Sequence, residues 1–311
     1  MLPNFLLIGA TKCATTSLWA LLKEHPQVFM CHPKEPQFFS NPEYYARGFD
    51  WYESLFAKAN DALAVGEASA NYANSLYSES AARRIYQLLP GARLIYCVRH
   101  PLRRIESAWV HVRCRLYTAA ERARGLKPAP ANFYRALRHS TVGRDVLETS
   151  LFWRQLNRFR RFFPDERIHI CFFEDFQRDQ MDVARGCFQF LGVDPLVGLP
   201  SQSRHLNAST HKQQPTWLYQ NLLSFPLLNR LAERLPAQLK WRPAQHPVWT
   251  RQASEFVTSV VREDAMQLLD YCRRSPDFWR FNDPFQNSSY QPASASPLPA
   301  GTSPSNPAAA C

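Results

Sequence analysis

The stretch "FLLIGATKCATTSLWALL", residues 5–22, decides how the chain begins to fold. Phe5 to Ile8 form an apolar run of strand length, and Leu18, Leu21 and Leu22 then recur at helical spacing, which predicts a helix beginning near Thr15. At such a strand-to-helix corner the first free N–H groups and the positive end of the helix dipole favour an anion. Lys12 adds a full charge, Thr15, Thr16 and Ser17 add hydroxyls, and Cys13 and Ala14 complete the loop. The phosphate loop of nucleotide hydrolases needs Gly directly before Lys-Ser/Thr, whereas here Lys12 is followed by Cys13-Ala14, which disfavours that class. Taken alone, the stretch also reads as an ordinary corner with a solvated lysine.

Composition sets outer bounds. The 311 residues are 45% hydrophobic and 20% charged, enough for one large core and consistent with one α/β domain. A net charge of +11 favours anionic ligands: nucleotides, sulfated or carboxylated substrates, nucleic acid or membrane surfaces. No basic leader precedes an apolar run and no apolar stretch reaches membrane-spanning length, so the expected location is cytoplasmic. The eight cysteines, at 13, 31, 97, 114, 171, 187, 272 and 311, form no C-x-x-C pair, which weakens zinc and disulfide-framework readings. Cys97 and Cys171 fall in strand-like runs as small core residues, and Cys13 is the one candidate for reactivity.

Five apolar runs, "FLLIG", "QVFM", "ALAVGE", "RLIYCV" and "IHICFF", alternate with segments of helical periodicity. That alternation predicts a parallel sheet covered by helices on both faces, with ligands gathered at the carboxyl ends of the strands. Thr11, Lys12, Cys31 to Glu35, Glu67 to Ser69, Arg99, His100, Glu174 and Asp175 directly follow those runs. The Arg-rich residues 113–145 break the rhythm and read as an insertion beside the acceptor. From 286 to 311 the chain is rich in Pro, Ser and Ala and reads as a disordered tail, leaving residues 1–285 as the folded domain.

Two further segments carry chemistry. In "RLIYCVRHPLRRIESAW", residues 93–109, Arg99 emerges at a strand end, Pro101 suits the opening of a helix, and Ser107 lies about two turns along it. A guanidinium fork and a rotatable hydroxyl make a phosphate clamp. In "CHPKEPQFFS", residues 31–40, Lys34 and Glu35 sit between two prolines with Phe38 and Phe39 as anchors, so Glu35 suits a fixed general base. Each segment by itself also reads as a charged surface feature.

"IGATKCATTSLWALLKEHPQV", "KEPQFF" and "RLIYCVRHPLRRIESAW", in this order, resemble the sulfotransferases that use 3′-phosphoadenosine 5′-phosphosulfate (PAPS), most closely the heparan sulfate and related bacterial type. The likeness continues through "VGEASANYANS" and "FFPDERIHICFFEDFQRDQ" and covers roughly residues 4–283. It implies a P-loop-like α/β fold and transfer of a sulfuryl group to a hydroxyl or amine of a glycan or small metabolite, with release of PAP and no metal. Lys12, Thr15 and Thr16 would hold the 5′-phosphosulfate with Cys13, Ala14 and Ser17 in the same loop, Arg99 and Ser107 the 3′-phosphate, and Lys212 would join the nucleotide site. Glu35 would be the base, with Lys12 neutralising the leaving phosphate; Lys34, Glu67 and Arg113 would face an acceptor that includes anionic cases. Glu67, His25, His32 and His111 are competing bases. The chain departs from the pattern at Cys13-Ala14, at Ala68 after Glu67, and at "HLNASTHKQQP", residues 205–215, in place of a Lys-Gly-Arg-type loop. Neither a P-loop kinase nor a basic nucleic-acid-binding protein accounts for all three segments, and neither nucleic acid nor membrane is an expected partner.

Overall fold

Apolar runs too short for helices pair side by side, and each needs cover on both faces. In the computed structural model, which describes residues 1–115, 130–198, 212–223, 225 and 228–281, five such runs make one parallel sheet. They are β1 (Phe5–Gly9), β2 (Val28–Met30), β3 (Ala64–Ala68), β4 (Arg93–Val98) and β5 (Ile168–Phe172), in the order β2-β3-β1-β4-β5. Every residue of β1 and β3 is buried, as a sheet covered on both faces requires. The five strands expected from the sequence are these five.

The principal helices are α1 (Thr15–Glu24), α2 (Ser78–Leu88), α3 (Pro101–Arg113), α4 (Phe133–His139), α5 (Thr141–Glu148), α6 (Phe152–Arg160), α7 (Phe173–Arg178), α8 (Gln180–Leu191) and α9 (Arg251–Tyr271). Helix α1 packs on β2 and α8, while α9 lies against α3, α4, α5 and α6. With β1 at the centre, the loop after it opens between β3 and β4, where a doubly wound sheet leaves its ligand crevice. A separate antiparallel pair, β6 (Gln213–Pro215) and β7 (Trp241–Pro243), was not foreseen from the sequence. None of the described helices is long and apolar enough to cross a membrane.

The stretch 113–145 is only partly a surface feature. Residues 116–129 and the tail from 286 lie outside the described residues. Residues 133–145, however, enter α4 and α5, and Phe133, Ala136 and Leu137 are buried in the core. Asn132 caps α4 by accepting from the Arg135 N–H, and Ser140 caps α5 by accepting from the Gly143 N–H. The two helices meet so closely that a Cβ on Gly143 would lie 2.0 Å from the Ala136 carbonyl oxygen. Gly143→Ala is therefore expected to destabilise the chain by about 1–3 kcal/mol through forced separation of α4 and α5. Calorimetric melting checks it, and an unchanged melting temperature would contradict this close packing.

Candidate active site

The corner after β1 is built by two arginines beneath it. Residue Arg104, on α3 and only 3% exposed, donates through Nε to the Thr11 carbonyl at 3.2 Å and through Nη2 to Thr11 Oγ1 at 2.6 Å. Its Nη1 donates to the Val146 carbonyl at 2.8 Å and to Ser150 Oγ at 3.1 Å, tying the corner to α5 and to the turn that follows it. Arg99 donates to the Lys12 carbonyl at 3.4 Å and lies 4.1 Å above the Phe173 ring. Helix α1 starts at Thr15 without a side-chain cap or an acidic residue in its first turn, so its leading N–H groups remain available to an anion. Positive φ at Lys12 (73°) and Ala14 (64°) folds the loop over them.

Positive charge dominates this corner. Burial first, and then the neighbouring Lys212, Arg99 and Arg104, push the Lys12 ammonium down from 10.5 to about 7. The β6–β7 pair delivers Lys212 there: the Lys212 carbonyl accepts from Ala244 N just beyond β7. Among the described residues no carboxylate forms an ion pair with Lys12, Arg99, Arg104 or Lys212. His111, one turn beyond Ser107 on α3, is pushed down to about 4 by partial desolvation, Lys12 and Lys212. Glu174 and Glu106 partly offset the charge of Arg99, and Asp145 that of Arg104, but Lys12 is left facing three cations, and a polyanionic ligand relieves that repulsion.

Beside the corner stand two carboxylates of different character. Glu35 has φ of 61°, its N–H donates to the Ala68 carbonyl at 3.0 Å, and its side chain is 30% exposed. Lys34 Nζ donates to Glu35 Oε1 at 2.8 Å. Glu67, in contrast, is 0% exposed and accepts from Tyr52 at 3.0 Å, Tyr72 at 2.6 Å and Ser69 at 2.6 Å. Burial pushes Glu67 up to about 7 despite these three hydroxyls, and nearby Glu35 adds to the rise. Ser69 Oγ also accepts from Gln37 N at 3.0 Å, and Tyr72 Oη accepts from Phe39 N at 3.4 Å. Glu67 thus anchors the loop that carries Glu35; wholly enclosed, it cannot meet the acceptor as the sequence reading had it.

The structure brings Lys12, Arg99 and Lys212 together, with Ser107 one turn after Arg103 and Arg104 on α3. Cys13 is buried, its thiol pushed up to about 12 by burial, so the expected reactivity gives way to a purely structural side chain. Thr15 and Ser17 are also buried, while Thr16 is half-exposed. Arg113 lies two residues past His111, lining a separate cavity of about 660 Å³ with Trp109, Tyr134 and His246. His25 is buried against Phe188, with Nε2 2.8 Å from the Asp194 carbonyl, which makes it structural, whereas His32 is exposed. Sequence reasoning missed Arg104: in "HPLRRIES" nothing distinguishes the inward arginine from Arg103 except its three-residue spacing to the buried Pro101 and to Ser107.

Residues 2–234 match the family model described as the sulfotransferase domain. The chain belongs to the sulfotransferase domain family. Among curated relatives of this sulfotransferase domain, bifunctional heparan sulfate N-deacetylase/N-sulfotransferase 3 of Homo sapiens is 29% identical over 218 residues, covering 68% of this chain and 24% of the relative. The corresponding enzyme 4 of Mus musculus is 28% identical over 201 residues, covering 62% of this chain and 23% of the relative. The chain thus spans about a quarter of the length of these relatives. The crystal structure of a sulfotransferase from Alicyclobacillus acidocaldarius superposes with a TM-score of 0.62 at 24% identity, covering 90% of this chain and 99% of that one, and shares its fold.

The depressed Lys12 gives the sulfotransferase corner a proton signature. Between about pH 7 and 10.5 the unfolded chain keeps a proton that folded, unliganded Lys12 has lost, so stability of the unliganded chain rises with pH across that window. A bound polyanion restores the charge. Polyanion binding at pH 8 is expected to take up close to one proton at Lys12, an uptake that falls toward zero at pH 6. Titration calorimetry in buffers of different ionisation heat reads this directly, and buffer-independent heats at pH 8 would contradict it.

Proposed function

We propose that the chain transfers a sulfuryl group from PAPS to a hydroxyl or amine of an anionic glycan, releasing PAP. The observation that carries this reading is the cluster of Lys12, Arg99, Arg104 and Lys212 at the carboxyl end of β1, in which Lys12 faces three cations, with Glu35 tied to the end of the neighbouring β3. A donor with phosphates at both 3′ and 5′ positions suits that cluster, and the relatives' names point to heparan sulfate as the acceptor type. The donor supplies an activated sulfuryl group. Lys12 and the leading amides of α1 hold its 5′-phosphate and neutralise the charge left there as the S–O bond to phosphate breaks. Glu35 takes the proton from the acceptor as its oxygen or nitrogen bonds to sulfur. Arg99 and Ser107 hold the 3′-phosphate, and Thr15 and Thr16 line the 5′ end. None of these steps calls on a metal.

Incubation with labelled PAPS and a panel of heparan-type oligosaccharides, phenols and small alcohols tests the reading; mass spectrometry should find sulfate on the oligosaccharides, and transfer to none of the panel would overturn it. Glu35→Gln is expected to lower turnover by about 10²–10⁴ with PAP affinity and melting temperature unchanged. Glu67→Ala should instead lower both turnover and melting temperature, because it frees the loop at Ser69 and Tyr72. If Glu35→Gln turned over normally, the base would lie elsewhere.

Arg99→Ala separates the two phosphates. It is expected to weaken PAP by about tenfold or more and to leave adenosine 5′-phosphosulfate, which lacks the 3′-phosphate, nearly unaffected. Equal weakening of both nucleotides in competition binding would remove Arg99 from the 3′ site.

A further inference from the structure

Three cysteines that stand far apart in the chain meet on the β4–β5 half of the sheet, outside the cation corner. Strand register sets Cys97 opposite Cys171, and alternation along β5 puts His169 on the same face as Cys171. Helix α8 covers that face and contributes Cys187, whose Sγ is 3.5 Å from Cys171 Sγ. His169 stacks on Phe190 of the same helix at 5.1 Å, and a Cβ on Gly186 would lie 3.7 Å from His169 Nε2, so the ring edge faces α8 where Cys187 stands. The ligand atoms of His169, Cys171 and Cys187 all lie within 4.8 Å of one another.

A buried thiol is ordinarily a small core residue, and one here would call for no comment. Three thiols and an imidazole on one patch are a different matter. In a tetrahedral zinc site, metal–sulfur bonds of about 2.3 Å and metal–nitrogen bonds of about 2.0 Å put neighbouring ligand atoms under about 4 Å apart, so small rotamer changes would close the cluster. Soft sulfur donors with one imidazole select Zn²⁺ over the hard cations that prefer oxygen. Access is available too: β5 is an edge strand and His169 is half-buried, while the thiols are enclosed.

We propose that His169, Cys171 and Cys187, with Cys97 as fourth donor, form a structural Zn²⁺ site that clamps α8 to β4 and β5. On binding, the coordinating thiols give their protons to solvent and the metal sheds its water ligands. The site is independent of the transfer chemistry: none of its ligands belongs to the Lys12 corner or the Glu35 loop.

Titration of the full reduced chain with Co²⁺ tests this. The expected result is one equivalent of tetrahedral cobalt with thiolate charge-transfer absorption, displaced by Zn²⁺, and a higher melting temperature with Zn²⁺ present. His169→Gln and Cys187→Ala should each weaken that site by about tenfold or more while leaving PAP affinity unchanged. Absence of the cobalt–thiolate bands in the wild-type chain would overturn the proposal, a result that needs no variant to fold. Metal binding that survives both substitutions would assign the ion to other cysteines and overturn it equally. So would a Cys171–Cys187 disulfide that persists in excess Zn²⁺ and reductant.

Discussion

The repulsion that Lys212, Arg99 and Arg104 exert on the buried Lys12 is the constraint on which this structure turns. The fold holds four positive groups at one strand end with no carboxylate paired to any of them among the described residues. Arg104 is kept in place by neutral oxygens alone: the Thr11 and Val146 carbonyls and the hydroxyls of Thr11 and Ser150. Such contacts satisfy its donors without an ion pair, and Asp145 offsets its charge only from a distance, so Arg104 still acts on Lys12. An ion pair there would favour the unliganded chain and weaken anion binding.

The acceptor side follows a different rule. As the proposed base, Glu35 needs a fixed position and some contact with solvent, and the structure provides both by burying a second carboxylate under it. Through Ser69 and Tyr72, Glu67 reaches the backbone of Gln37 and Phe39, while Phe38 and Phe39 pack against Tyr52. One carboxylate is the proposed base and the other holds the loop that carries it. Their proximity adds a smaller push in the same direction as burial on Glu67, against the three hydroxyls that pull it down.

Much of this was legible in the sequence because it depends on local pattern. The five strands, the start of α1 at Thr15 and that of α3 at Pro101 follow from apolar runs, helical spacing and the preference of Pro for a first helical turn. What escaped depends on long-range packing. Arg104 and Arg103 are neighbours in an arginine pair, and only the direction of α3 decides which turns inward. Lys212 reaches Lys12 through a small β6–β7 pair whose strands are three residues each, too short for periodicity to reveal. The Glu67 carboxylate looked like an acceptor contact from its strand-end position, but Tyr52 from a distant helix and Ser69 and Tyr72 from the turn after β3 enclose it. Cysteine spacing argued against a metal cluster, and only strand register and α8 bring residues 97, 171 and 187 together.

A crystal structure of the chain with PAP tests the central claim most directly. The account predicts the 5′-phosphate against Lys12 and the first amides of α1, the 3′-phosphate against Arg99 and Ser107, and Lys212 drawn onto the nucleotide. A nucleotide whose phosphates lie away from Lys12, with the four cations left as they are, would contradict it.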